Sequence, residues 1–347
     1  MIAFIAFFVF FCVLFITGAP LIYAAGLNIT FDKNSLCTKG GGSNQMLGSD
    51  QWAMTWHSDG NLYAAWGDGD GWDSSGDCFL GITRISGTPP GLTGTDIFCQ
   101  PRPGSVNIKS HGIFSVGKTI YLFYQQENQG WTTTSGALST DNGASLTLKE
   151  PMWAPADGVQ MHGMVVFGPG HTGLPENLDS NYIYGLFSRT EGPMDGPVFL
   201  ARGKTSDPLN KAKWEWFTGA SGANANWGAQ ASRKAIISNI AGLDWHYTIM
   251  TYNAPLKKYL LTYFAGKNGQ LHVLAADQPW GPFEEIYTGD MGVDNKWKFT
   301  VQVMPNTISA DGRSMWFSFS GYPEWDKVGF IKATITGDTP TGQPTKM

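Results

Sequence analysis

Two aspartates near the start of the chain have a spacing that suits carbohydrate chemistry. Asp50 lies near the start of the stretch SDQWAMTWHSDGNLYAAWGDGDGW, and Asp68 lies close to its end. The pair Asp59-Gly60 between two apolar runs predicts a hairpin, because glycine tolerates positive φ at a turn. Such a hairpin places both carboxylates at the same end of adjacent strands. Hydrolysis of a glycosidic bond requires two carboxyl groups, about 5–5.5 Å apart for retention and about 6.5–9.5 Å apart for inversion.

In a hydrolase of this kind Asp50 is expected to act as base or nucleophile. The acid is Asp68 or, from neighbouring repeats, Glu127 or Glu191. The structural alternative is that Asp50 caps the start of a strand and that Asp68 belongs to a Gly-Asp-Gly turn.

Histidines and cations indicate a second chemistry. His111 and His162 each precede a glycine at the start of an apolar run, and Lys109 and Arg189 lie nearby in the predicted fold. A neutral histidine that removes a proton, with cations that neutralise a uronate carboxylate, is what a polysaccharide lyase needs. The alternative is that both histidines only form hydrogen bonds inside a central channel.

Three further features predict ligand binding. Trp72 follows a glycine-rich turn, where an aromatic face suits the C–H side of a sugar ring. Arg233 in ASRKAII is expected to reach substrate from a neighbouring repeat. The run GDGDGWD offers Asp68 and Asp70 as oxygen ligands for calcium, although its spacing does not match an EF-hand loop. A turn is therefore preferred there, and neither a cofactor nor a metal is expected.

The elements that position these residues are short strands. Charged residues make up only 15% of the chain, whereas aromatics reach 14% and glycine occurs 44 times, and no long apolar period of 3.6 residues occurs. Hairpins begin near residues 51, 111, 162, 246 and 299, and each is followed by a third β-like run. Repeats of this size predict an all-β, five-bladed β-propeller over residues 27–340, rather than a β-sandwich. The third runs are Cys78 to Ile85, Thr134 to Ser139, Val198 to Lys204, His272 to Ala276 and Val328 to Ile335.

The order of four longer segments supports this interpretation. SDQWAMTWHSDGNLYAAWGDGDGW, TYNAPLKKYLLTYFA, DQPWGPFEEIY and ISADGRSMWFSFSG together resemble the domain-of-unknown-function 4185 family, and the matches span roughly residues 48 to 335. The resemblance implies a five-bladed propeller similar to glycoside hydrolases that act on furanosides such as arabinan.

Charge and cysteine content limit the partners. The net charge is −5 and no block of Lys or Arg occurs, which disfavours nucleic-acid binding because phosphate contacts need clustered cations. A polysaccharide or oligosaccharide is the expected partner. Cys78 and Cys99 are spaced to pair across a loop, with Cys37 as an alternative partner for either.

These observations predict an extracytoplasmic, carbohydrate-active propeller, with a glycoside hydrolase as the preferred function. A polysaccharide lyase that uses histidine as base and a non-catalytic glycan-binding propeller are the alternatives.

The apolar segment 1–25 predicts a secretory signal peptide with a cleavage site near Tyr23-Ala24-Ala25. The alternative is an uncleaved N-terminal anchor, since about 20 apolar residues can span a bilayer. We expect intact-mass measurement of the protein from its host to show a chain that begins near Ala24 or Ala25. A chain that retains Met1 and is found in the membrane fraction would establish the anchor instead.

Overall fold

Short strands joined by tight turns account for most of the regular structure. The computed structural model describes residues 26–38, 49–73, 76, 78–101, 108–189, 196–240, 247–265, 269–293, 299–322 and 327–337. Within these ranges the helices are five single turns of 3₁₀ type, and none is long and apolar enough to cross a membrane. The 3₁₀ turns are Glu127–Gln129, Pro155–Asp157, Lys211–Lys213, Gln230–Ser232 and Pro305–Thr307.

Twenty-two strands are present in the described ranges. In chain order they are β1 (Asn28–Thr38), β2 (Asp50–Trp56), β3 (Leu62–Gly69), β4 (Cys78–Ser86), β5 (Thr93–Pro101), β6 (Ile108–Val116), β7 (Thr119–Gln126), β8 (Thr134–Ser139), β9 (Thr147–Trp153), β10 (Gln160–Val166), β11 (Tyr182–Ser188), β12 (Gly196–Lys204), β13 (Trp214–Ser221), β14 (Asn224–Gly228), β15 (Ala235–Ile240), β16 (Ile249–Asn253), β17 (Lys258–Ala265), β18 (Gln270–Ala276), β19 (Glu284–Gly289), β20 (Val301–Val303), β21 (Ser314–Ser320) and β22 (Val328–Thr336).

The strands form antiparallel groups in chain order. One sheet contains β2 to β5, a second contains β6 to β9, and a third pairs β20 to β22 with the N-terminal strand β1. The remaining ten strands form one sheet, in which the group β10 to β15 joins the group β16 to β19 through a short parallel pairing of β10 with β16. The disulfide Cys78–Cys99 links β4 to β5 and is one of the pairings that the cysteine spacing left open.

The hydrophobic core lies between neighbouring groups of strands. Ala65 and Ile82 of the first sheet pack in the same cluster as Ile113 and Leu122 of the second. This arrangement follows from burial on both faces of the inner strands: β10 and β11 are buried along their whole length. Strands of this kind need apolar side chains on both faces, which explains the dense runs MHGMVV and YIYGLF.

Each group of strands contacts the next, and the last contacts the first. Between the first two sheets, a Cβ on Gly67 would lie 2.3 Å from the carbonyl oxygen of Ile108. At the other end of the series, the Gln302 side chain of β20 accepts a 2.8 Å hydrogen bond from the Met54 backbone N–H and donates one to the Met54 carbonyl. The groups are therefore arranged in a ring, with β2, β6, β10, β16 and β20 close to its centre.

The all-β prediction is confirmed, and all five predicted third runs are strands (β4, β8, β12, β18 and β22). The prediction of five separate blades is not confirmed by the sheets, because two groups share one sheet and no sheet closes on itself in the described ranges. The predicted leader, residues 1–25, lies outside the described residues.

Close packing of the inner strands makes one glycine a sensitive position. A Cβ at Gly163 would lie 1.9 Å from the Thr248 carbonyl oxygen, where backbone leaves no space for it. We expect Gly163→Ala to lower the free energy of unfolding by about 2 kcal/mol or more, as over-packed cores do. Urea unfolding measures the loss. Gly196→Ala is the control, since a Cβ there meets no atom within 4 Å; equal effects of the two substitutions would contradict the packing described.

Candidate functional site

One cavity of about 100 Å³ lies at the ring's centre, beside the N-terminal ends of β2, β6 and β10. Its wall combines charged, amide, imidazole and aromatic side chains from several groups of strands. The lining residues are Asp50, Gln51, Lys109, His111, Gln125, Trp131, His162, Tyr247 and Phe299.

A β-bulge at the same place in three inner strands turns side chains into this cavity. In β6 the register shifts between Ser110 and Gly112, so His111 is the extra residue. In β10 it shifts between Met161 and Gly163, so His162 is the extra residue. A bulge breaks the alternation of faces and re-aims a side chain.

The corresponding bulge in β2 lies between Asp50 and Ala53. There Gln51 and Trp52 have positive φ values of 82° and 56°, an uncommon conformation for residues other than glycine. The bulge places Asp50 and Gln51 beside the cavity, while the Trp52 side chain is buried with Trp66.

The cavity contains a buried ion pair. The ammonium group of Lys109 bonds the Oδ2 atom of Asp50 and lies 3.1 Å from the Oδ2 atom of Asp68. Asp50 is almost fully buried, and its Oδ1 atom has no hydrogen-bond partner in the described part of the chain. One oxygen of Asp50 is therefore fixed by a cation, while the other is unpaired.

Burial shifts the protonation of these groups. Burial raises the pKa of Asp50 above its ordinary value; Lys109 opposes this shift, and Asp68 adds to it. Burial alone would lower the pKa of Lys109, but the two carboxylates outweigh it and raise that pKa. The ammonium group therefore stays charged at neutral pH and holds the Asp50 carboxylate in place.

The Tyr247 hydroxyl links the inner strands β2 and β6 through hydrogen bonds. It accepts a hydrogen bond from the Gln51 side chain and lies 3.2 Å from Nε2 of His111. Burial, followed by the negative charge of Asp50, raises the pKa of Tyr247 well above its ordinary value. The phenol is therefore neutral at physiological pH and acts as a hydrogen-bonding group.

The two histidines differ in their contacts. His111 bonds Tyr247, and burial, His162 and Lys109 hold the pKa of its ring well below its ordinary value. His162 lies 5.8 Å from His111 between ring centroids, and neither of its ring nitrogens has a hydrogen-bond partner among the residues that the structure describes. Burial lowers the pKa of His162 to about 4, so both imidazoles are neutral near pH 7.

Several residues that the sequence singled out meet at this site. Asp50, Lys109, His111 and His162 line the cavity, and Asp68 joins them through Lys109 with about a third of its side chain exposed. Their meeting agrees with the expectation that strand starts and hairpin ends share one face of the molecule.

Trp72 lies elsewhere, packed among apolar residues rather than in the cavity wall. Its indole is in ring contact with Trp52 and Phe330, and it covers Gly94, whose absent side chain leaves the space. The Trp72 backbone N–H donates to the Asp96 carboxylate at 2.8 Å, which fixes the loop. The Trp72 indole, which was predicted to stack on a sugar, therefore packs against other residues of the protein.

The predicted cations and alternative acids are also outside the cavity wall. The Arg233 guanidinium stacks over Phe199 at 4.8 Å and bonds the Gln230 carbonyl; burial and the nearby Arg189 charge lower its pKa. Glu127 is exposed on a 3₁₀ turn. Arg189 is exposed at the end of β11, and Glu191 lies outside the described residues.

The described residues provide no set of ligands for the calcium ion considered at Asp68 and Asp70. In the described ranges no three His, Cys, Asp or Glu side chains are grouped so that they could hold a metal ion. The Asp68 carboxylate instead contacts Lys109.

Five lining residues were not among the site residues predicted from the sequence: Gln51, Gln125, Trp131, Tyr247 and Phe299. Gln51 reaches the cavity through a bulge, and Tyr247 lies two residues before β16, so alternation of faces applies to neither. Trp131 follows a 3₁₀ turn with φ of 60°, and Phe299 precedes β20. A signal for Trp131 is the preceding Gly130, which ends the turn in the left-handed region.

Comparisons with known proteins identify the fold. No family model matches the chain, and no curated protein does either, so the resemblance to the domain-of-unknown-function 4185 family stays a prediction. Among solved structures, the chain is similar to the RS223 β-xylosidase, with 13% identity, 86% of this chain and 96% of that chain covered, and a TM-score of 0.51.

It is also similar to the GH43_1 enzyme from Xanthomonas citri complexed with xylose, with 11% identity, coverage of 87% and 91%, and a TM-score of 0.50. A family 117 glycoside hydrolase from the marine bacterium Zobellia galactanivorans has 12% identity, coverage of 90% of both chains and a TM-score of 0.45. At these identities the likeness to the first two shows the fold alone, a β-propeller.

Removal of the Lys109 cation leaves a buried carboxylate without its counter-ion. We expect Lys109→Met to lower the free energy of unfolding by about 3 kcal/mol at pH 8, the cost of breaking a buried ion pair. Because burial raises the pKa of folded Asp50, a lower pH neutralises this carboxyl in the folded state first, so the loss is smaller at pH 5. Urea unfolding at both pH values provides the measurement.

The matched control is Lys258→Met, whose partner Asp277 is 72% exposed. This surface pair is worth less than about 1 kcal/mol. A loss for Lys109→Met that is small, or that is larger at pH 5 than at pH 8, would contradict the buried pair.

Proposed function

We propose that the protein is a glycoside hydrolase that cleaves an oligosaccharide or polysaccharide at the cavity beside Asp50. The observation that carries this proposal is the state of the Asp50 carboxyl group: it is buried, Oδ2 is bonded to Lys109, and Oδ1 has no partner among the described residues. A carboxylate with one oxygen fixed and the other unpaired is suited to attack a sugar carbon or to take a proton from water.

Asp68 is the acid that this geometry favours. Asp50 and Asp68 both contact the same ammonium nitrogen, so their bonded oxygens are at most about 6 Å apart by ordinary hydrogen-bond lengths. This limit fits the separation of about 5–5.5 Å in retaining enzymes better than the wider separation in inverting enzymes. We therefore assign Asp50 as nucleophile and Asp68, which water reaches, as acid and then base.

Fold-level analogy adds support. The structural neighbours include a β-xylosidase and an enzyme complexed with xylose, and the proposal carries a saccharide ligand over from them by analogy.

We propose that the protein has five blades, on the basis of the ring of contacts between groups of strands. The blades are β2–β5, β6–β9, β10–β15, β16–β19 and β20–β22 with β1. The Cys78–Cys99 disulfide and the apolar leader support an extracytoplasmic location.

The lyase alternative is less well supported. A uronate needs a cation that is available to its carboxylate, but Lys109, the one cation that lines the described cavity, already bonds two carboxylates. Arg189 and Arg233 lie outside the cavity wall. The neutral histidines that the lyase hypothesis requires are present, so the experiment below includes them.

A non-catalytic glycan-binding role is favoured by one observation. Asp50 is the one carboxyl group among the described residues that line the cavity, since Asp68 lies at its edge. A binding protein needs no second carboxyl group, so loss of glycan cleavage is the property that separates the two functions.

Substitution of Asp50 tests the hydrolase directly. Asp50→Asn keeps the volume and removes the negative charge, and we expect cleavage of arabinan-, xylan- or galactan-type glycans to fall at least about 10³-fold with the fold preserved. Reducing-end release provides the rate. Asp141→Asn, at an exposed turn, is the matched control and should keep full activity.

Cleavage that survives Asp50→Asn at full rate would refute the assignment. Products with the absorbance of unsaturated uronates, abolished by His162→Ala, would establish the lyase instead. Retention on glycan columns without any change in glycan length would establish the binding protein.

A further inference from the structure

His162 is a buried polar group that the described residues leave unsatisfied. It is 2% exposed, and neither of its ring nitrogens has a hydrogen-bond partner in the described ranges. An unpaired buried donor or acceptor costs about 1–3 kcal/mol, and in native proteins such a group calls for a specific explanation. Because His162 lines the cavity, a bound molecule can supply the missing bond.

The neighbouring His111 provides a contrast within the same site. His111 reaches the cavity through an equivalent bulge, and its Nε2 atom lies 3.2 Å from the Tyr247 hydroxyl, while its Nδ1 atom has no partner among the described residues. The described residues therefore satisfy one nitrogen of His111 and neither nitrogen of His162. Of the two rings, His162 has more hydrogen-bonding capacity left for a molecule that enters the cavity.

The backbone that carries His162 is closely packed. The bulge in β10 takes residue 162 out of the regular alternation, and Gly163 lies so close to the Thr248 carbonyl that no Cβ fits there. A binding group held in this way loses little conformational freedom when a ligand binds, which increases affinity.

Charge in the cavity selects the ligand. Asp50 and Asp68 together with Lys109 leave one negative charge in excess, and both imidazoles are neutral near pH 7. An anionic sugar would meet this charge without a compensating cation. A neutral imidazole offers one N–H donor and one acceptor, and a sugar hydroxyl can satisfy either.

We propose that His162 binds a hydroxyl group of a neutral sugar in the cavity and so discriminates against uronates and other anionic sugars. This inference rests on the proposed function for the ligand being a glycan. It concerns recognition, so it can be tested in a protein that cannot cleave.

The test measures binding by calorimetry at pH 7, with xylotriose and arabinotriose as probes for the Asp50→Asn protein and trigalacturonic acid as the probe for both this variant and the unmodified protein, which keeps the excess negative charge. We expect a neutral trisaccharide to bind the variant, trigalacturonic acid to bind the unmodified protein at least about tenfold more weakly than that, and its binding to be less weak in the variant. Addition of His162→Phe, which keeps a ring but no nitrogen, should weaken neutral binding at least about tenfold. Addition of His162→Gln, which keeps a donor and an acceptor, should restore most of the affinity.

His171→Phe is the matched control, because His171 is a mostly buried histidine that bonds the Tyr182 carbonyl and does not line the cavity. A second measurement needs no change at residue 162: the ¹⁵N shifts of the His162 ring should move when the neutral sugar is added. Unchanged affinity in the His162→Phe variant, unmoved shifts, no binding of either neutral sugar, or preferred binding of trigalacturonic acid would each overturn the inference. Binding through His162 without cleavage by the unmodified protein would refute the proposed hydrolase only.

Discussion

The close approach of the inner strands around one centre is the constraint on which the rest of the structure depends. Where these strands meet, backbone lies against backbone, so that Gly67 faces the Ile108 carbonyl and Gly163 faces the Thr248 carbonyl with no room for a Cβ. Side chains excluded from these contacts must point elsewhere. The bulge directly before Gly163 sends His162 into the remaining space, and the site is a consequence of the packing.

Burial of charge in that space sets its chemistry. Removing a carboxylate from water is costly unless a counter-ion accompanies it, and Lys109 provides that counter-ion to Asp50. The same burial keeps His111, His162 and Tyr247 neutral, so the cavity presents one carboxylate–ammonium pair among uncharged hydrogen-bonding groups. This composition is the physical basis on which we propose a neutral polyhydroxylated ligand.

The sequence predicts the hairpins and third strands because glycine-containing turns and alternating apolar residues are local signals. It does not predict the outer strands or the pairing of β1 with β22, which joins the two ends of the chain. Asp50, His111 and His162 could be singled out because each lies at the start of a β-like run, which is a local signal. Gln51 was missed because a bulge breaks the period of two. Trp72 was predicted to stack on a sugar, whereas its indole covers Gly94 of the outer strand β5, and such packing is not a local property.

A crystal structure of the Asp50→Asn protein with a neutral trisaccharide that the unmodified protein cleaves tests the proposed site most directly. We expect a sugar ring in the cavity, with its anomeric carbon about 3–3.5 Å from the residue 50 side chain and a hydroxyl bonded to His162. A trisaccharide bound instead at the opposite groove lined by Trp56, Phe167 and Tyr252, with the cavity unoccupied, would contradict it.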